Sequence, residues 1–219
     1  MTARGSSVGA KARARRSGLP AEARVRRRDR GAALIDVIFT AGVIAVLSGI
    51  AVPMLQATRQ HDQARAAARF FAARLQQARI EAVRRNTTVA VRFEPDDFDR
   101  FAIYADGDRD GVLESDIERG IDTIIATETR LSNYAGGVTF RINQPIVEPD
   151  TGVALSAGAD PLRIGASTLL SFSPLGSATS GTLYLSAHSG PQMAIRILGA
   201  TSRMRVLKFD AGVRQWREE

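Results

Sequence analysis

Three groups of side chains in this 219-residue chain have types and spacings that suit chemistry. The first is Asp106, Asp108 and Asp110, followed at once by Gly111, with Glu114 and Asp116 close behind. Alternate carboxylates converge on one hard cation, and a glycine permits the sharp turn between them, as in the first half of a calcium loop. The twelfth position, where such a loop places a bidentate Glu, is Ile117 between Asp116 and Glu118, and no helix pair is predicted around it. Calcium would therefore need a loop of another type that uses Glu114 or Asp116. Without a ligand the segment is an acidic, solvated hairpin loop, and the sequence favours that reading, because partial motif matches recur by chance.

The second group is Arg203, Arg205, Lys208, Arg214 and Arg217 near the C-terminus. Alternation along Met204–Phe209 would put some of these cations on one exposed face, where they would suit nucleic-acid phosphates. Charged residues on a sheet edge also discourage strand-to-strand aggregation, and that plainer reading is preferred. The third group is a single carboxylate, Asp36, inside an apolar run. Such a charge costs about 2.5–3.5 kcal/mol at the centre of a bilayer and less near the interface, so something must offset it.

Catalytic chemistry has little to build on. The chain has no cysteine, which excludes thiolate nucleophiles, thiolate zinc sites and disulfides. Its two histidines, His61 and His188, are far apart, and no nucleophile-elbow sequence accompanies the serines beside His188. A membrane-anchored hydrolase is thus the weakest reading, and the chain is expected not to be an enzyme. Trp216, the only tryptophan, is expected to pack on the sheet.

The elements that must position these groups are legible from composition and period. The formal charge of +7 is not spread evenly. Residues 1–31 hold ten of the 30 Lys and Arg and two of the 23 acidic residues, so this tail carries +8 and the remainder −1. The tail has almost no large apolar residues and is expected to be disordered. Between Asp36 and Arg59 lie 22 residues without a charge, which as a helix reach about 33 Å and span a hydrocarbon core of about 30 Å. Arginines on its N-terminal side predict a cytoplasmic tail and a translocated C-terminal part, held in a membrane by one pass.

Helical spacing continues past the span. Ala64, Ala67, Phe71, Leu75, Ala78 and Ala82 recur at intervals of three and four, in a stretch free of Gly and Pro. The period predicts one helix from Ile35 to Arg85, with Pro53 kinking it by removing a backbone donor. From Thr87 the period becomes two, in short β-branched and aromatic runs. The expected fold is α+β: a long N-terminal helix, transmembrane in one half and amphipathic in the other, packed on an antiparallel sheet. Residues 143–165 are expected to be a surface loop. The boundaries are a basic leader over 1–31, the span over 32–58, the amphipathic helix over 59–86 and the β domain over 87–219.

The join between tail and span is the most specific signal: Arg30-Gly31-Ala32-Ala33-Leu34-Ile35-Asp36. A cut after Gly31 creates an α-amino group on Ala32, protonated at neutral pH because its unperturbed pKa is about 8. Asp36 of one subunit then pairs with the amine of a neighbour, each relieving the other's desolvation. This pattern resembles the type IV prepilin and pseudopilin family. The resemblance implies a prepilin peptidase that cleaves after Gly31 and methylates Ala32, with Asp36 as the acidic fifth residue and Pro53 as the proline ending the apolar run. Two residues depart from the family pattern: Ala32 replaces the usual Phe or Met, and Asp36 the usual Glu. A secretory signal cut after Ala51 and a plain signal anchor are the alternatives, but an acidic residue within the apolar run and an uninterrupted helical pattern argue against both.

The β portion is similar to the GspH/FimT group of pseudopilins and minor pilins, in the helix end around Leu75–Phe93, the acidic loop around Tyr104–Gly120 and the closing runs Ser171–Ala187 and Met193–Asp210. The resemblance implies a minor subunit of a type II secretion pseudopilus or a type IV pilus, assembled with other pseudopilins or pilins from inner-membrane lipid, its β domain periplasmic. It also implies the rival in which the C-terminal basic residues, Arg203 and Arg205 foremost, capture DNA for uptake.

Overall fold

The computed structural model describes residues 22–219 apart from 135, 166 and 189, and the side chains of these except 22–33, 52, 53 and 57. The expectation of a disordered leader lies, for residues 1–21, outside the described residues. The chain divides into two compact units at Val52/Pro53, and helix α1, Glu22–Arg85, contributes to both. It begins well before the expected Ile35, so residues 22–31 correct the reading of the whole tail as disordered. Ala, Arg and Glu, which dominate that segment, have among the highest helix propensities, and the charge run does not cancel them.

In the first unit, Leu34, Ile35, Val37, Ile38, Phe39, Ile44, Val46, Leu47 and Ile50 are all exposed. A helix apolar around its circumference and bare to solvent belongs in lipid or against other helices. This is the one described helix long and apolar enough to cross a membrane. Thr40 does not break its character, because its hydroxyl donates to the carbonyls of Asp36 (2.9 Å) and Val37 (3.0 Å) and leaves no free donor.

In the second unit the predicted stripe is the packing face. Ala64, Ala67, Phe71, Leu75, Ala78 and Ala82 are fully buried, joined by Ala68. Small alanines bring the helix backbone close to the sheets, and Phe71 and Leu75 fill the gap between. The strands are β1 (Val89–Glu94), β2 (Asp97–Ala105), β3 (Thr123–Arg130), β4 (Thr139–Phe140), β5 (Ile146–Val147), β6 (Ala154–Leu155), β7 (Leu162–Arg163), β8 (Leu169–Phe172), β9 (Gly181–Ser186), β10 (Met193–Leu198), β11 (Arg203–Asp210) and β12 (Gln215–Glu218). A short helix α2, Glu114–Arg119, sits between β2 and β3.

The single sheet expected from period is in fact two main sheets and a hairpin. One runs β3-β2-β1-β8, the other β12-β11-β10-β9-β4, with β7 also paired to β9 and with β5 and β6 pairing each other. All pairings are antiparallel. The helix stripe shares one core with the inner faces of both sheets, through Val91, Phe93, Ile103, Leu170, Phe172, Leu183, Leu185, Met193 and Ile195. Period-two alternation identifies a strand but not its partner, which is why the split was invisible.

Residues 143–165 also depart from the expected surface loop. They supply β5, β6 and β7, and bury Ile146, Leu162 and Ile164. These strands are two residues long, too short for a period to register. The β5–β6 hairpin covers the outer face of the second sheet, where Ile142, Ile146, Tyr184, Ala194 and Phe209 form a second core, whereas β7 joins that sheet beside β9 and turns Leu162 into the main one. Trp216 closes it as expected, with its ring 5.1 Å from that of Phe209 and Nε1 donating to the carbonyl of Val147.

Candidate functional site

The acidic loop is built from the sheet outward. On the outer face of the first sheet, Ala90 and Leu169 meet Val112 from the loop, with Tyr104 and Ile117 packed alongside. These contacts fold residues 106–122 over the sheet, with α2 as their second half; the loop is not a free hairpin. Glu114 is taken by that anchoring. Its carboxylate accepts from Arg92 Nε (2.7 Å) on β1 and from the hydroxyl of Thr168 (2.7 Å).

Asp106 is spent on the main chain. Its Oδ1 accepts the N–H groups of Asp108 (3.2 Å) and Arg109 (2.6 Å), and its Oδ2 accepts that of Gly111 (3.1 Å). Arg109 is held at φ 77° and Gly111 at φ 105°, so the turn uses a left-handed arginine as well as a glycine. Asp122, which the sequence did not single out, clamps the loop at both ends. It accepts from the N–H of Gly107 (3.0 Å) and of Leu113 (2.9 Å). Gly107 must be glycine here: a Cβ would lie 2.1 Å from the carbonyl oxygen of Ile121. The signal for Asp122 was an aspartate just after the Gly120 turn and just before a strand, too common a pattern to read alone.

Asp108, Asp110 and Asp116 remain. One carboxylate oxygen of each lies within 4.8 Å of the others. Asp108 and Asp110 are exposed, and Asp116 is 1% exposed. The Asp110 carboxyl is pushed above its ordinary range, first by a hydrogen bond shared with Asp108, then by desolvation and the charges of Asp108, Asp116 and Asp106. Arg119 from α2 pairs with Asp116 Oδ1.

The C-terminal cations are divided by the register of β11. Arg203 and Arg205 stand opposite Leu198 and Arg196 of β10 and share one face, whereas Lys208 stands opposite Met193 on the other. Lys208 reaches the helix, its Nζ 2.6 Å from His61 Nε2. Arg205 lies 4.0 Å from Glu218, and Arg217 2.9 Å from Asp210. Arg203 and Arg214 have no acidic partner among the described residues. Arg214 sits in the β11–β12 turn at φ 51°. His188 is exposed.

On α1, Asp36 is exposed between apolar neighbours, with no ion pair among the described residues. Gly31 and Ala32 fall within the helix bounds, and the helix continues through Pro53.

A long N-terminal helix with an exposed apolar run over residues 34–50, and a later part packed by an alanine-rich stripe on antiparallel sheets, defines the α+β pilin-like class. Within that class the chain belongs to the GspH family: the sequence profile of type II transport protein GspH matches residues 67–202. No curated protein matches the chain in sequence. The crystal structure of the minor pseudopilin EPSH from the type II secretion system of Vibrio cholerae aligns over 72% of this chain and 94% of its own, at 16% identity and a TM-score of 0.35. At that score the assignment rests on the family match, which begins downstream of the Gly31 join.

Proposed function

We propose that this chain is a minor pseudopilin, a structural subunit that enters a type II secretion pseudopilus through its N-terminal helix. The observation that carries the reading is the GspH family match over residues 67–202, on a chain whose helix carries an exposed, uncharged run over residues 37–51. In this reading the inner membrane stores the subunit, with the N-terminal tail cytoplasmic and the β domain periplasmic. Prepilin peptidase cuts after Gly31 and methylates Ala32. Pro53 gives the helix the local freedom to curve as subunits pack.

Asp36 supplies the registration. An amine and a carboxylate about 4 Å apart attract by about 4 kcal/mol at an effective dielectric of 20, enough to offset the cost of placing the carboxylate in lipid. Other pseudopilins, each with a positive N-terminus, are therefore the partners this helix fits.

Mass spectrometry of the mature protein from its native host tests the proposal. The expected species begins at a methylated Ala32. A chain beginning at Val52, or one retaining residues 1–31, overturns it. The rival of DNA capture has Arg203 and Arg214 in its favour, as cations without acidic partners among the described residues. The ion pairs of Arg205 and Arg217 weigh against it, because neutralised cations release fewer counterions. Loss of DNA binding in Arg203→Ala/Arg205→Ala with assembly intact would move the conclusion to the rival.

A further inference from the structure

We propose that Asp108, Asp110 and Asp116 bind a calcium ion, held in place by a loop that Asp106 and Asp122 fold in advance. Two overlapping acidic clusters occur among the described residues: Asp106 with Asp108 and Asp122, and Asp108 with Asp110 and Asp116. They are not equivalent. Asp106 and Asp122 spend all four of their oxygens on main-chain N–H groups of the loop. A carboxylate so engaged is a structural clamp, and withdrawing it to coordinate a cation would open the turn. Glu114, bound to Arg92 and Thr168, is likewise committed.

The second cluster has a feature that acidic surface loops ordinarily lack. Asp116 is 1% exposed, and its Oδ2 has no hydrogen-bond partner among the described residues. Arg119 reaches only Oδ1, from a side chain that is itself largely in solvent. An ionised oxygen buried without a donor costs free energy that its surroundings must return. Here the groups within reach are two further carboxylates, which worsen the cost. A cation set among the three turns each repulsion into an attraction.

The donor set selects the ion. All three ligands are carboxylate oxygens, and no histidine or cysteine belongs to the cluster, so the site suits a hard cation and not zinc or copper. Two ligands stand on an exposed turn and one on a short helix, a flexible frame that tolerates the roughly 6–8 oxygens of calcium, with water completing the shell. Magnesium demands near-octahedral geometry and gives up its water reluctantly, so it fits poorly. The ion would tie α2 to the β2–β3 turn and stiffen the outer face of the first sheet. This inference does not depend on the proposed role in secretion.

The test uses the full chain in detergent micelles, stripped with EDTA and titrated with calcium chloride or magnesium chloride, followed by calorimetry and thermal melting. Half-saturation is expected at about 10⁻⁴–10⁻³ M calcium, the range of extracytoplasmic modules. At 10 mM calcium the melting temperature should rise by about 3–10 °C, with little response to magnesium. Asp110→Asn, at an exposed position that leaves folding intact, should lower calcium affinity at least tenfold. Asp96→Asn, exposed but remote, should leave it unchanged. No calcium heat and no thermal shift, an equal response to magnesium, or a full response in Asp110→Asn would each overturn the proposal.

Discussion

Phe71 is the residue on which the docking of the helix to both sheets turns. It is fully buried, and its ring lies 4.8 Å from Phe101, 4.9 Å from Phe140 and 5.9 Å from Phe93. The first two pairs are edge-on, with interplanar angles of 86° and 77°, the arrangement in which ring edges meet ring faces favourably. Phe101 and Phe93 come from the first sheet and Phe140 from the second, so one side chain links three layers. Truncating a buried Phe to Ala costs about 3–5 kcal/mol, and the edge-on pairs place Phe71→Ala in the upper part of that range. Against a domain stability of about 5–15 kcal/mol, a loss of 4 kcal/mol multiplies the unfolded population by roughly a thousand. Urea unfolding of the full chain in detergent, followed by tryptophan fluorescence of Trp216, reads this directly. With an m-value of about 2 kcal/mol per molar, the midpoint should fall by about 2 M. Phe71→Leu, which keeps most of the volume, should lose less than half as much. A loss below about 1.5 kcal/mol for Phe71→Ala would mean that the ring does not bridge helix and sheets, and the packing account would fail.

Three further outcomes follow from the geometry. Asp36→Ala should separate two properties: membrane retention improves as the charge leaves the span, while incorporation into the assembly falls at least tenfold, measured by co-purification with partner subunits. Equal incorporation of mutant and parent would remove the pairing argument. Gly107→Ala drives a Cβ to 2.1 Å from the Ile121 carbonyl oxygen, so the loop must open; a cost of about 1–3 kcal/mol is expected, with loss of the calcium response, by thermal melting. Asp110→Asn should raise the melting temperature of the EDTA-treated protein, because it removes one of three crowded negative charges, and should show no gain once calcium is present.

Much of this protein was written in local patterns. The helix stripe Ala64, Ala67, Phe71, Leu75, Ala78 and Ala82 is buried residue for residue, because a 3.6-residue period allows one buried face and the spacing names it. The apolar half of the helix was equally plain, since 22 residues without a charge between Asp36 and Arg59 make a helix long and apolar enough to cross a membrane. Most longer strands, β1, β2, β3, β9, β10 and β11, fall where β-branched and aromatic residues alternate.

Contacts between residues distant in the chain decided the rest. The division into two sheets, the burial of Ile146, Leu162 and Ile164, and the placement of Lys208 against His61 depend on partner and register, which no local period encodes. The acidic loop shows the difference most sharply. In sequence its carboxylates are interchangeable; folded, Asp106 and Asp122 hold the backbone, Glu114 holds Arg92, and Asp116 is left with a bare buried oxygen. A carboxylate's role depends on which donors come within about 3 Å of it, and the chain brings those donors there only when the sheet, the turn and α2 close together.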